Sequence, residues 1–215
     1  MTCHGIIAVS ESVRDVLTHA GMPAKKIVVI HTGIELPPSP AARPKHRGLV
    51  VGHMGAFTAE KGQDVVIAAA AQLPLVRFIL AGEGPRLAEL GRGAPPTVSF
   101  LGFVKDHAAF FAGIDLFVMP SRSEAWGLAA LEAMAHGVPV IASDIGGLRE
   151  IVEPGRSGWL VPAGDAAALA RTIAEAASDA GRLHEIGLAA RDRAAHFSVE
   201  KMADQTEQFY RRLLR

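Results

Sequence analysis

Cysteine is almost missing from this chain. Cys3 is the only one in 215 residues, which excludes an internal disulfide framework and fits a reducing compartment. Net charge is missing as well, because 22 Lys and Arg balance 22 Asp and Glu. That balance excludes the basic footprint of a nucleic-acid binder and any strong pull toward an anionic membrane. The longest apolar run, Val65–Ala71, is far below the ~20 residues of a membrane span. No charged start with an apolar core and a cleavage site is present. These absences lead us to expect a cytoplasmic protein without a membrane span, with peripheral contact at the inner face of a membrane left open. The nine histidines show no HExxH spacing, and there is no Asp-x-Asp pair, Walker loop or GxSxG elbow. Neither a metal nor another cofactor is expected.

What is present is a regular alternation of strand-like and helix-like segments, which predicts an α/β fold with a Rossmann-like parallel sheet flanked by helices. The first unit spans residues 1–36: a strand at Ile6–Val9, a helix over Glu11–Ala20 capped by Ser10, and a strand at Lys26–His31. A proline-rich stretch over 37–45, with Pro37, Pro38, Pro40 and Pro44, reads as a semi-rigid linker. The second unit, 46–197, has strands at Gly48–His53, Leu75–Ala81, Val98–Leu101, Leu116–Met119, Val138–Ala142 and Gly158–Val161. Helices separate them, and residues 198–215 form a last helix.

One stretch carries the candidate chemistry: PSRSEAWGLAALEAMAHGVPVIASDIGG, residues 120–147. The apolar run before Pro120 reads as a buried parallel strand. Glu124 follows in a polar loop. Gly127 to His136 is rich in helix formers, Gly137 suits a C-cap, and Pro139 cannot continue the helix. A helix N-terminus offers unpaired N–H groups and the positive end of a dipole, so it suits phosphate. At ~1.5 Å rise per residue, Glu132 lies roughly 8 Å along the axis from the helix start. A carboxylate could then flank each side of a pyrophosphate and accept from sugar or ribose hydroxyls.

These residues, from PSxxE through EAMAxGxPVxAS to the paired glycines, resemble the donor-binding signature of the retaining glycosyltransferases of family 4, which have the GT-B fold. The resemblance runs over nearly the whole chain. Residues 46–197 resemble the C-terminal donor-binding domain. Residues 1–36 resemble a remnant of the N-terminal acceptor domain, and 198–215 resemble the helix that crosses back to it.

The resemblance implies a nucleotide-diphosphate sugar as donor and a glycan or lipid-linked acceptor of unknown identity. It also implies a partner chain as one possible source of the missing N-terminal domain. Glu124 would contact the transferred sugar and Glu132 the ribose hydroxyls. Lys61, with backbone N–H groups from Trp126, Gly127, Leu128 and Ala129, would hold the pyrophosphate. Val104, in the run FLGFV, would border the base, with core packing as its other reading.

One departure stands out. The family pattern has an arginine where this chain has Ala56, and nothing in the sequence shows His53 replacing it. GEGP at 82–85 reads as a tight turn, since Leu87 stands where a dinucleotide fingerprint needs its third glycine. Glu150 reads as a surface carboxylate on a helix. Three functions stay open at this point. The chain could be the donor-binding part of a transferase, a non-catalytic nucleotide-sugar module or half of a split enzyme, or a different GT-B enzyme such as a phosphorylase or epimerase.

Overall fold

A computed structural model describes residues 3–41 and 48–214; the part of the expected linker at 42–47 lies outside them. The first unit is a small β-α-β arrangement. Strands β1 (Ile6–Ala8) and β2 (Ile27–Val29) pair in parallel, and α1 (Glu11–His19) crosses between them. Ser10 caps α1 by accepting from Val13 N–H, as its sequence position suggests. The second strand is shorter than expected and starts at Ile27 because residues Ala24–Lys26 wind into a 3-10 turn behind Pro23; it ends at Val29.

The larger unit holds a six-stranded, all-parallel sheet. Its strands are β3 (Val50–Met54), β4 (Arg77–Ala81), β5 (Val98–Gly102), β6 (Leu116–Met119), β7 (Val140–Ser143) and β8 (Gly158–Val161). They lie in the order β5-β4-β3-β6-β7-β8, the doubly wound order of dinucleotide-binding sheets. Helices cover both faces. One face packs on α4 (His107–Ala112), α5 (Leu128–Ala135), α6 (Leu148–Ile151) and α8 (Ala180–Ala194). The other packs on α2 (Gln63–Ala70), α3 (Leu87–Gly93) and α7 (Ala166–Ala177).

Alternation along the strands sorts side chains between those layers. Phe117 and Met119 of β6 join the first cluster, while Leu116 and Val118 join the second. All of β6 is buried, which explains its uninterrupted apolar run. Helix α5 ends in a Schellman motif: Gly137 N–H reaches Met134 O at 2.8 Å and Val138 N–H reaches Ala133 O at 2.9 Å. Gly137 has φ +75°, so the glycine there is required by the backbone.

Helix α9 (Val199–Leu213) returns to the first unit. Phe209 packs where a side chain on Gly5 would stand. Ile34 and Ser198 form a β-bridge, and Ile34 N–H donates to Phe197 O at 2.9 Å. The described part of the linker is tied down too, with Ala41 N–H donating to His136 O at 2.8 Å.

Candidate functional site

In a doubly wound sheet the crevice lies outside the carboxyl ends of the strands, where the chain direction of winding reverses. Here that point falls between the paired strands β3 and β6. The loop after β3 carries Lys61, and the loop after β6 carries Glu124. The two meet: Lys61 Nζ lies 2.7 Å from Glu124 Oε2. Both side chains are largely shielded, at 29% and 11% exposure. Ser121, itself buried, donates its hydroxyl to the same oxygen at 3.4 Å.

Glycines let these loops close on each other. Gly62 has φ +72°, and a Cβ there would come within 2.1 Å of Pro120 O. Gly146 has φ +48°, and its Cβ would meet Glu124 O at 2.0 Å. The paired glycines thus lie directly on the backbone that holds Glu124.

Helix α5 starts at this crevice. Its N-cap, Gly127, has φ +111° and no side chain to offer. A Cβ would fall 2.6 Å from Leu148 Cδ2, so a polar capping residue cannot replace it. The i−4 ladder begins with Leu131 N–H donating to Gly127 O at 3.1 Å. The amides of Leu128 and Ala129 lie ahead of that ladder, at the positive end of the dipole.

Glu132 sits on the second turn of α5 and faces a different neighbour. Its Oε2 lies 2.9 Å from His107 Nδ1. Both line a cavity of about 380 Å³ with Leu128, His136 and the segment Thr32–Glu35. Glu124 is not among the residues lining that cavity. The structure therefore joins Lys61 with Glu124 in one group, and Leu128 with Glu132 in another. His136 stacks on Phe111, with ring centroids 5.1 Å apart. Burial pushes its pKa below the usual histidine value, against the opposing pull of the Glu132 charge.

The indole of Trp126, whose expected role rested on its backbone N–H alone, is turned into the core, and the residue is 4% exposed. Indole N–H donates to Thr32 O at 3.0 Å, and the ring stacks on His31 at 4.6 Å. Its side chain joins the two units of the chain. Glu150 is not a free surface carboxylate. It accepts from Glu11 N–H at 3.1 Å and Ser12 N–H at 3.3 Å, and lies 3.0 Å from His31 Nε2. It is a second cap on α1, supplied from across the chain.

Val104 is partly buried against the first core cluster. His53 is 1% exposed at the end of β3. Its Nδ1 lies 3.0 Å from Val118 O, which can only accept, so Nδ1 carries the proton. Nε2 then accepts from Gln63 Nε2 at 3.2 Å. Burial, with a smaller push from the Lys61 charge, lowers its pKa to about 4. A neutral imidazole with both nitrogens engaged is no substitute for an arginine at Ala56. Arg122, nearby in sequence, is turned away as well, forking onto Asp64 at 2.8 and 2.6 Å. Among the described residues no group of three or more His, Cys, Asp or Glu is placed to hold a metal ion. No helix among them is long and apolar enough to cross a membrane.

A Rossmann-like lobe of this strand order, with helices on both faces, matches one lobe of the GT-B fold. The family follows from the sequence match: residues 48–179 fit the model described as "Glycosyl transferases group 1", and the chain belongs to that family. The D-inositol 3-phosphate glycosyltransferase of Mycobacterium tuberculosis is 35% identical over 235 residues, covering 97% of this chain and 48% of the relative. The Anabaena protein Alr3699/HepE, solved in complex with UDP-glucose, superposes with a TM-score of 0.90 at 29% identity, covering 96% of this chain and 63% of that one. Sucrose-phosphate synthase from Thermosynechococcus elongatus gives a TM-score of 0.88 at 30% identity, covering 99% of this chain and 59% of its own. The chain spans about half the length of the curated relatives it matches, 48%.

Proposed function

We propose that this chain is the donor-binding part of a retaining glycosyltransferase, carrying a C-terminal donor domain and a remnant of the N-terminal acceptor domain. The donor is a nucleotide-diphosphate sugar. Its diphosphate lies against the first amides of α5, with Lys61 as a point charge on it. Glu124 accepts from hydroxyls of the transferred sugar and Glu132 from those of the ribose. The observation that carries this reading is the 2.7 Å pair of Lys61 and Glu124 across the sheet's switch point.

In the transfer, the bond between the anomeric carbon and the diphosphate oxygen breaks. An acceptor hydroxyl forms the new bond on the same face, and its proton passes to the departing diphosphate. Lys61 and the α5 amides act on the charge that develops on that diphosphate. The donor of the Anabaena relative makes UDP-glucose the first candidate. The acceptor is a glycan or lipid-linked hydroxyl, or an inositol phosphate by analogy with the mycobacterial relatives.

A second reading has its own support. Ala56 stands where the family pattern has an arginine, and the described arginines near it in the fold, Arg86 and Arg122, pair with Glu89 and Asp64. The chain could then bind donor without transferring sugar, or work with a partner chain that supplies the rest of the acceptor side. A thermal-shift screen of UDP, GDP, ADP and CDP tests the donor reading, because a ligand of the folded state raises stability by RT ln(1 + [L]/Kd). One nucleotide should raise the melting temperature clearly above the others. No shift with any of them at millimolar concentration contradicts the donor site. We expect weak or no turnover from residues 1–215 alone; turnover that appears when a chain carrying an acceptor-binding domain is added supports the transferase reading, and none under any such addition favours the non-catalytic one.

A further inference from the structure

We propose that His107 is a positioning residue for Glu132, and through it sets how strongly the site prefers ribose over deoxyribose; this rests on the donor reading above. Glu132 is about one-third exposed, at 32%, on a helix with few polar neighbours. A flexible carboxylate in a half-open cavity loses rotamer entropy when it grips a ligand. Something that fixes it beforehand makes that grip tighter.

His107 is placed to do this. It is the first residue of α4, directly after the N-cap Asp106, whose carboxylate accepts from Ala109 N–H at 2.9 Å. Its position is therefore set by a capped helix start. Nδ1 lies 2.9 Å from Glu132 Oε2. A carboxylate only accepts, so the proton sits on Nδ1 and the bond runs from imidazole to carboxylate. Glu132 Oε1 keeps no protein partner among the described residues, which leaves it for a hydroxyl. The other titratable groups at this cavity are His136, whose ring is held on Phe111, and Glu35. His136 N–H donates to the Glu132 backbone carbonyl at 3.1 Å, but neither side chain hydrogen-bonds the Glu132 carboxylate among the described residues, so the hydrogen-bond restraint on that carboxylate comes from His107.

The test measures Kd by calorimetry for the tightest-binding of UDP, GDP, ADP and CDP, and for its 2′-deoxy counterpart. The proteins are the wild-type chain, His107→Ala, His107→Asn and Glu132→Ala. We expect the wild type to favour the ribonucleotide by about tenfold or more, the worth of a charge-assisted hydrogen bond. His107→Ala should weaken the ribonucleotide by ~3- to 10-fold, leave the deoxy form nearly unchanged, and so shrink the ratio. His107→Asn, whose side-chain N–H can reach where Nδ1 does, should restore most of it.

If His107→Ala weakens both nucleotides equally, or leaves the ratio intact while Glu132→Ala removes it, the inference fails and the donor reading stands. If Glu132→Ala also leaves binding and ratio untouched, or no nucleotide binds, the donor reading itself falls and the inference with it.

Discussion

The ammonium of Lys61 sits 2.7 Å from the carboxylate of Glu124, joining the loop after β3 to the loop after β6. The pair holds the lysine in place at the crevice, with Ser121 supporting the carboxylate from behind. In the proposed donor site the pair would take opposing roles: the Lys61 charge attracts a negative diphosphate, while the Glu124 charge repels it and suits sugar hydroxyls.

Variants of the two residues should therefore separate. Lys61→Ala should weaken both a nucleoside diphosphate and its sugar conjugate by ~10- to 150-fold, the loss of a charged hydrogen bond. Glu124→Gln should bind the plain diphosphate at least as tightly as wild type and lose affinity only for the sugar conjugate. Calorimetry with both ligands measures this, and parallel losses in Glu124→Gln would remove the assigned role.

Gly146 should tolerate alanine poorly. The new Cβ would stand 2.0 Å from Glu124 O at a positive φ. Gly155 also has a positive φ, +77°, but nothing within 4 Å. Gly155→Ala should cost about 1 kcal/mol from backbone strain alone. Gly146→Ala should cost more, and should weaken nucleotide-sugar binding because Glu124 must shift. Urea melts and calorimetry on the two variants compare the effects.

His53 gives stability a pH dependence. Its pKa is about 4 in the folded chain and near 6.5 when unfolded. The unfolded state binds the proton first, so stability is full above pH ~6.5 and falls as pH drops toward ~4. The 2.5-unit difference corresponds to at most about 3 kcal/mol. Urea unfolding between pH 7 and 4 should show the decline, and His53→Asn should flatten it. Asp64, held low by the Arg122 hydrogen bond, loses its contribution only as pH falls below its own unfolded value.

Glu150 should govern how firmly the first unit is attached. Glu150→Ala removes the acceptors for Glu11 and Ser12 N–H and the partner of His31. Loss of such a cap costs about 0.5–2 kcal/mol. Limited proteolysis should cut near α1 faster in the variant, and cleavage unchanged from wild type would argue against the link.

Much of the fold was legible because strand and helix periods are written locally. The apolar run 116–119 had to be a buried strand, and Gly137 had to close α5. Lys61 and Glu124 could be named from loops that follow strands. Their 2.7 Å approach could not, since it depends on β3 and β6 being neighbours in the sheet. The partners of Glu132, Glu150 and Trp126 were hidden for the same reason. They lie 25, 139 and 94 residues away in sequence. No local pattern shows which carboxylate caps a helix across a fold. The indole of Trp126 packs against His31 and Phe197, contacts that no local pattern shows.

The most direct measurement is a crystal structure of the chain soaked with the nucleoside diphosphate that gives the largest thermal shift. The account predicts diphosphate oxygens about 3 Å from the Leu128 or Ala129 amide, with Lys61 Nζ on the same group and the ribose at Glu132. A nucleotide bound elsewhere, with Lys61 still held by Glu124 and the α5 start empty, would contradict it.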